Sequence, residues 1–393
     1  MAANGLMSTY APLPVTFEKG DGVWLYDTEG HKYLDALTGI AVCGLGHAHP
    51  EIARTISEQA SRLIHTSNLY HIAHQETLGR KLSDLSGMDA CFFSNSGAEA
   101  NECAIKLARL YGNKQDIDVP TIIVAEGAFH GRTMATLTAT GSRKVRAGFE
   151  PLVQGFVRAP FNDLKAIETI AKNNSSVVAV MVEPVQGEGG IHVPDEGYLR
   201  GLRKICDENN WLLILDEIQT GNGRTGRYFA YQHEGIFPDV VTTAKGLGNG
   251  FPIGACLAKG AAADLLKPGS HGTTYGGNPL ACATALSVIE ILQRDHLIER
   301  AAHLGQHLLN RFNDGLAKEK LVANIRGKGL MVGIELKKPC GALMSKALEK
   351  KLLINVTAEK VIRLLPALIM TDEEADLVAT SVIELIKEWA AEQ

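Results

Sequence analysis

The sequence predicts an α/β fold with a mostly parallel sheet in a large domain and a smaller α+β domain behind it. Short β-rich apolar runs alternate with helical patterns through the middle of the chain, the signature of a parallel sheet covered by helices. Beyond about Leu292 the pattern changes to amphipathic helices around two short strands, and a chain of 393 residues is too long for one ordinary core. The expected division is an N-terminal segment, 1–45, packing with the small domain, a large domain, 46–292, and a small C-terminal domain, 293–393.

The opening residues read as a β-hairpin, with Val23–Asp27 and Lys32–Asp35 flanking the turn Thr28-Glu29-Gly30. Strands of the large domain are expected at Thr121–Ala125, Val177–Val182, Trp211–Leu215, Val240–Thr243 and Ala255–Ala258. Between them, Tyr198–Asn209 reads as a helix, as does Gly97–Tyr111, where Ala104, Leu107, Ala108 and Tyr111 recur at helical spacing. The second domain is expected to hold helices Leu297–Leu316, Met344–Lys351 and Asp372–Ala390 around strands Gly329–Leu336 and Val361–Leu364. No internal repeat or low-complexity tract interrupts this order.

Composition narrows the function. A net charge of -5 without any Lys/Arg-rich run offers no electrostatic footprint for nucleic acid, so the expected partners are small molecules. Seven cysteines without CxxC spacing fit a reduced, cytoplasmic compartment rather than a disulfide framework. Met1–Tyr10 lacks a basic segment followed by an apolar core, and no apolar run approaches a membrane span.

The chemistry gathers where strands end. Trp211–Leu215 runs into Asp216-Glu217-Ile218-Gln219, and Lys245 closes the next strand. In an open parallel sheet, ligands bind at the carboxyl edge, so this spacing can place a carboxylate and an amine in one crevice. Alone, such residues also serve as a turn cap and a solvated lysine. Lys245, however, lies between Ala244 and Gly246-Leu247-Gly248, an apolar setting that disfavours the ammonium form and leaves a competent imine former.

The run Ser94-Asn95-Ser96-Gly97-Ala98-Glu99 opens a helix with small polar residues, suited either to a phosphate or to an ordinary N-cap. Phe129-His130-Gly131-Arg132 offers an aromatic face beside a guanidinium, fitting a flat ligand with an anion next to it. Glu183-Pro184-Val185-Gln186-Gly187-Glu188 is a loop with two carboxylates at a strand end, and His271-Gly272-Thr273-Thr274 is a polar loop with hydroxyl donors. Other chemistries are weaker. Gly246-Leu247-Gly248-Asn249-Gly250 lacks the third spacing of a dinucleotide fingerprint, His47 and His49 have no further metal-ligand set, and no G-x-S-x-G occurs.

With these residues, and with Gly46-His47-Ala48-His49-Pro50 and Gly221–Gly226, the chain resembles the class III (subgroup II) aminotransferases over nearly its whole length. Within them it is similar to the branch acting on N2-acetylornithine in arginine biosynthesis. The resemblance implies the pyridoxal-phosphate fold-type I and a homodimer with shared active sites, in which the loop around Thr273 and Thr274 reaches the other subunit. It implies Lys245 as the Schiff-base lysine, Asp216 as partner of the pyridine nitrogen, and Gln219 as contact to the ring hydroxyl. Phe129 and Ile218 would sandwich the ring, with Ser96 and Glu217 also at the cofactor, and Gly97 and Ala98 would hold the phosphate with the other subunit's Thr274.

Arg132, Glu188, Thr273 and Arg363 are the implied substrate contacts, with Arg132 taking the far carboxylate and Arg363 the near one. Glu188 would pair bidentately with Arg363 and swing away when glutamate arrives. Amino and oxo acids are the implied substrates. Ile40 stands where relatives acting on free ornithine carry a tyrosine, which favours an acylated α-amine. Succinylornithine, N-succinyl-diaminopimelate, ornithine and 4-aminobutyrate are the other donors in play, and a non-catalytic, cofactor-binding regulator is the alternative of another class. Asn222 departs from the family pattern, standing where relatives carry an apolar residue.

Overall fold

The computed structural model describes residues 5–393; the first four residues of the N-terminal segment lie outside it. Its centre is a seven-stranded sheet in the order Ala90–Ser94, Gly254–Ala258, Val240–Thr243, Leu212–Asp216, Val177–Val182, Thr121–Ala125 and Phe156–Ala159. All run parallel except Gly254–Ala258, which is antiparallel to both neighbours. Residues 177–182, 212–216 and 121–125 are buried throughout, as expected of strands covered on both faces, which read as unbroken apolar runs. The expected strands of this sheet stand within one residue of their predicted bounds, with Trp211–Leu215 displaced to Leu212–Asp216.

The two strands at the ends of this order, Ala90–Ser94 and Phe156–Ala159, escaped prediction because each is partly exposed. In the helix Gly97–Asn113, Ala104, Leu107 and Ala108 of the face read from the sequence are buried, and Tyr111 is half-buried.

The C-terminal residues form a second, antiparallel sheet in the order Val322–Lys328, Met331–Leu336, Val361–Leu364 and Asn355–Thr357. Val322–Lys328 is half-buried or exposed throughout without alternation, so hydrophobic periodicity gives no signal for it. The hairpin Trp24–Asp27 and Lys32–Asp35 forms as expected, and Leu352–Leu353 pairs parallel with its second strand. Phe17–Asp21 adds a third, antiparallel strand to that hairpin. No helix of the described residues is long and apolar enough to cross a membrane.

Candidate active site

The carboxyl ends of the parallel strands surround a cavity of about 380 Å³. Lys245, Asp216, Ile218, Gln219, Phe129, Arg132, Ser96, Gly97 and Ala98 all line it. Residues from four separate strand ends thus converge, as the switch-point rule for parallel sheets requires.

Asp216 ends its strand buried and tightly held. Its Oδ2 accepts from Asn101 Nδ2 at 2.8 Å and from His130 Nδ1 at 2.7 Å, while Oδ1 accepts the Ile218 amide at 3.1 Å. Asn101 is itself fixed, donating to the His130 carbonyl and accepting from Thr242 Oγ1. Burial opposes charge on His130, but the hydrogen bond and the charge of Asp216 outweigh it and raise its pKa. The carboxylate is therefore oriented from behind by two donors and offers its remaining lone pair on Oδ1 to the cavity.

Lys245 follows Val240–Thr243 with a left-handed backbone, φ 45°, and its Nζ has no hydrogen bond or ion pair among the described residues. Burial pulls its pKa down to about 8, against an upward pull from Glu188. Glu183, also in the lining, is pushed up to about 7 by burial, although the Phe129 and Gly187 amides donate to its carboxylate.

At the other end of the cavity the helix Gly97–Asn113 presents its first turn. Ser96 caps it by accepting from the Glu99 amide at 3.2 Å, leaving the neighbouring N–H groups and the positive end of the dipole facing the cavity. Gly97 is required by packing, since a Cβ there would lie 2.7 Å from Ile218 Cδ1. Gln219 is buried with its Oε1 lacking any partner, and it packs so closely on Gly187 that a Cβ at that glycine would lie 2.2 Å from this oxygen. An unsatisfied buried amide oxygen at a cavity wall implies a ligand donor.

Arg363 is 1 % exposed, on the strand Val361–Leu364. Its Nη1 donates to Glu188 Oε1 at 2.5 Å, while Nε and Nη2 both donate to Asn355 Oδ1, at 3.1 and 2.7 Å. The expected bidentate Arg363–Glu188 pair is thus replaced by a single bond. Asn355 stands directly opposite Arg363 in the antiparallel register and takes the other edge of the guanidinium. Arg132 is exposed, with its guanidinium 5.6 Å from the Phe129 ring and no carboxylate partner among the described residues.

Five expected residues do not line the cavity: Arg363 and Glu188, whose charges still act on Lys245, and Glu217, Thr273 and Thr274. Glu217 points away from it, with its carboxylate bound to Thr220 Oγ1 and to the Tyr231 amide at 2.9 Å. Side chains alternate along an extended backbone, so Asp216 and Glu217 cannot both face the site. Thr273 and Thr274 lie instead along a neighbouring cleft with Asn95, Glu99 and Glu102, and Thr274 is exposed.

Asn101, His130, Glu183 and Asn355 are site residues that sequence reasoning did not assign. The first three sit inside or beside the motifs that were singled out. Asn355 carries no local signal.

A planar pyridine with an anionic arm fits this arrangement, with a carboxylate at one edge, a free acceptor on Gln219, an unpaired amine, apolar walls from Phe129 and Ile218, and a helix N-terminus for the phosphate. Fold and cavity together define a pyridoxal-phosphate enzyme of fold-type I. The family described as aminotransferase class-III matches residues 7–386, and the chain belongs to that family. An acetylornithine aminotransferase from Nitrosomonas europaea is 58% identical over 381 residues, covering 97% of each chain. The solved acetylornithine aminotransferase from Elizabethkingia anophelis superposes with a TM-score of 0.87 at 35% identity, covering 97% of this chain and 96% of that one. An ornithine aminotransferase from Toxoplasma gondii superposes at 0.94 with 33% identity, covering 98% of this chain and 94% of that one, and its structure reports partial occupancy of pyridoxal phosphate at the active site.

Proposed function

We propose that the chain moves the terminal amino group of N2-acetylornithine to 2-oxoglutarate, giving N-acetylglutamate 5-semialdehyde and glutamate, in arginine biosynthesis. The observation that carries this reading is the 58% identity to the Nitrosomonas acetylornithine aminotransferase over nearly the full length of both chains. The site supports it. Ile40 is half-buried beside the apolar cluster of Val185, Ile191 and Leu365 and offers no acceptor for a free α-ammonium, which suits an acylated amine.

The chemistry that the cofactor supplies when bound is an electron sink for the charge left when the substrate's carbon–hydrogen bond breaks. Asp216 Oδ1 would keep a proton on the pyridine nitrogen, and Gln219 Oε1 would accept from the ring hydroxyl. Phe129 and Ile218 would hold the ring between them, and the Gly97 and Ala98 amides with the Ser96 hydroxyl would receive the phosphate. Lys245 Nζ would hold the cofactor, and its free amine would carry the proton from the substrate carbon to the cofactor. A pKa of about 8 suits that exchange near neutral pH.

Substrate carboxylates are met at two places. The exposed Arg132 takes the far carboxylate, and Arg363 takes the one on glutamate's reacting carbon. Acetylornithine has no charge there, so Glu188 occupies Arg363 during the first half-reaction and yields to glutamate in the second. The single Nη1–Oε1 bond favours this exchange, because Asn355 keeps the guanidinium in place when Glu188 leaves. Glu188→Ala should raise the ratio of the glutamate to the acetylornithine single-turnover rate by roughly tenfold, about 1.4 kcal/mol. Equal losses in both rates would make the pair a fixed structural one.

A homodimer with shared sites accounts for Thr273 and Thr274 lying outside this chain's own cavity. Thr274→Ala should weaken cofactor retention. Co-assembling Lys245→Ala chains with Thr274→Ala chains should restore one intact site per mixed dimer, roughly a quarter of wild-type activity from random pairing. No recovery would remove Thr274 from a shared site. The substrate itself is tested by a panel of donors scored by the shift of the visible band. Acetylornithine should act faster than succinylornithine, N-succinyl-diaminopimelate, free ornithine or 4-aminobutyrate, and a band that no donor moves would indicate a non-catalytic binder.

A further inference from the structure

We infer that Asn222 is a positioning residue for Lys245, holding the peptide that leads into the lysine so that its amine enters the cavity in one pose. Asn222 is 5% exposed and sits at φ 57°, a left-handed backbone that asparagine tolerates better than most residues. Its Nδ2 donates to Thr243 Oγ1 and to the Ala244 carbonyl, both at 3.0 Å, and its Oδ1 accepts from Tyr228 Oη at 3.3 Å. The amide is therefore satisfied on both ends inside the protein, and two of its three bonds fall on the two residues before Lys245.

This matters because the lysine's own backbone is strained. Lys245 stands at φ 45° after Ala244 at φ -166°, and a non-glycine residue holds such a conformation only when its surroundings over-determine it. Asn222 contributes to this by bonding the two residues before the lysine. Gly246 leaves room for it, since a Cβ there would come within 3.3 Å of the Asn222 Cβ. Tyr228, buried and with its phenol pushed up by that burial, stays a donor and fixes which way the amide faces.

The inference rests on the assignment of Lys245 as the cofactor-bearing lysine. Asn222→Gly keeps the left-handed backbone and deletes only the side chain; Asn222→Leu fills the volume without hydrogen bonds and serves if the glycine variant does not fold. Either should slow the capture of pyridoxal phosphate by the apoprotein and lower kcat about tenfold, with KM for both amino donors within about twofold. The pH midpoint of the holoenzyme's visible band should rise by about half a unit or more, because a loosened lysine segment admits water and favours the charged form. Tyr228→Phe, which leaves the bonds to Thr243 and Ala244, should change each quantity by less than about threefold. Wild-type capture rate and pH midpoint in both Asn222 variants, whatever happens to the melting temperature, would overturn the inference. Lys245→Ala separates the two assignments: if that variant keeps the pH-dependent band, the reading of Lys245 fails instead.

Discussion

Lys245→Ala should give folded protein whose turnover is lower by about 10⁴-fold or more, because one side chain supplies both the covalent anchor and the proton carrier. The fold should survive, since Lys245 Nζ makes no hydrogen bond or ion pair among the described residues and its burial is unfavourable to the charged amine. Circular dichroism and a melting curve within a few degrees of wild type would establish that the loss is chemical. Ordinary turnover in this variant would refute the assignment. The same amine predicts the pH dependence of cofactor capture by the unmodified apoprotein. Its pKa lies near 8, so the capture rate should climb as pH rises through about 8 and level off above it.

Asp216→Asn should lower kcat by about 10³-fold while leaving the cofactor bound. The hydrogen bonds behind the side chain decide why the exchange is not neutral. Asn101 Nδ2 and His130 Nδ1 both donate to Oδ2, so an amide would turn its oxygen towards them. Its NH2 would then replace Oδ1, meeting the Ile218 amide on one side and the cavity on the other. A donor there cannot hold a proton on a pyridine nitrogen, and flipping the amide would leave two buried donors unpaired. Stopped-flow rates of the two half-reactions check this, and rates within a few-fold of wild type would remove Asp216 from the mechanism.

Much of this was legible without coordinates. Fully buried parallel strands announce themselves as apolar runs such as Val177–Val182, and the residues following each run fall at one edge of the sheet. Asp216, Lys245, Phe129 and the Ser96–Ala98 turn, which line one cavity, stand out in the sequence because each lies within a few residues of a strand end. Glu217 shows the limit of that logic. It stands next to Asp216 in the sequence and shares its strand end, yet the alternation of the chain sends it to Thr220 and Tyr231.

The residues that went unassigned are those whose role depends on sheet order. Asn101, His130 and Asp216 come from three different segments and meet only because Leu212–Asp216 lies between Val240–Thr243 and Val177–Val182, with the helix Gly97–Asn113 above. Asn222 shows in the sequence only as a departure from the family pattern, and its partners, Thr243, Ala244 and Tyr228, are brought to it by the fold.

The grip on Arg363 is likewise a matter of register: the strand pairing sets Asn355 across from it, and a loop from the other sheet delivers Glu188. Local sequence carried the identity of the reactive groups, because strand, turn and helix start are written within a few residues of them. The partners that orient those groups lie far away along the chain. Only strand order and register, set by the packing of the whole core, bring them within hydrogen-bonding distance.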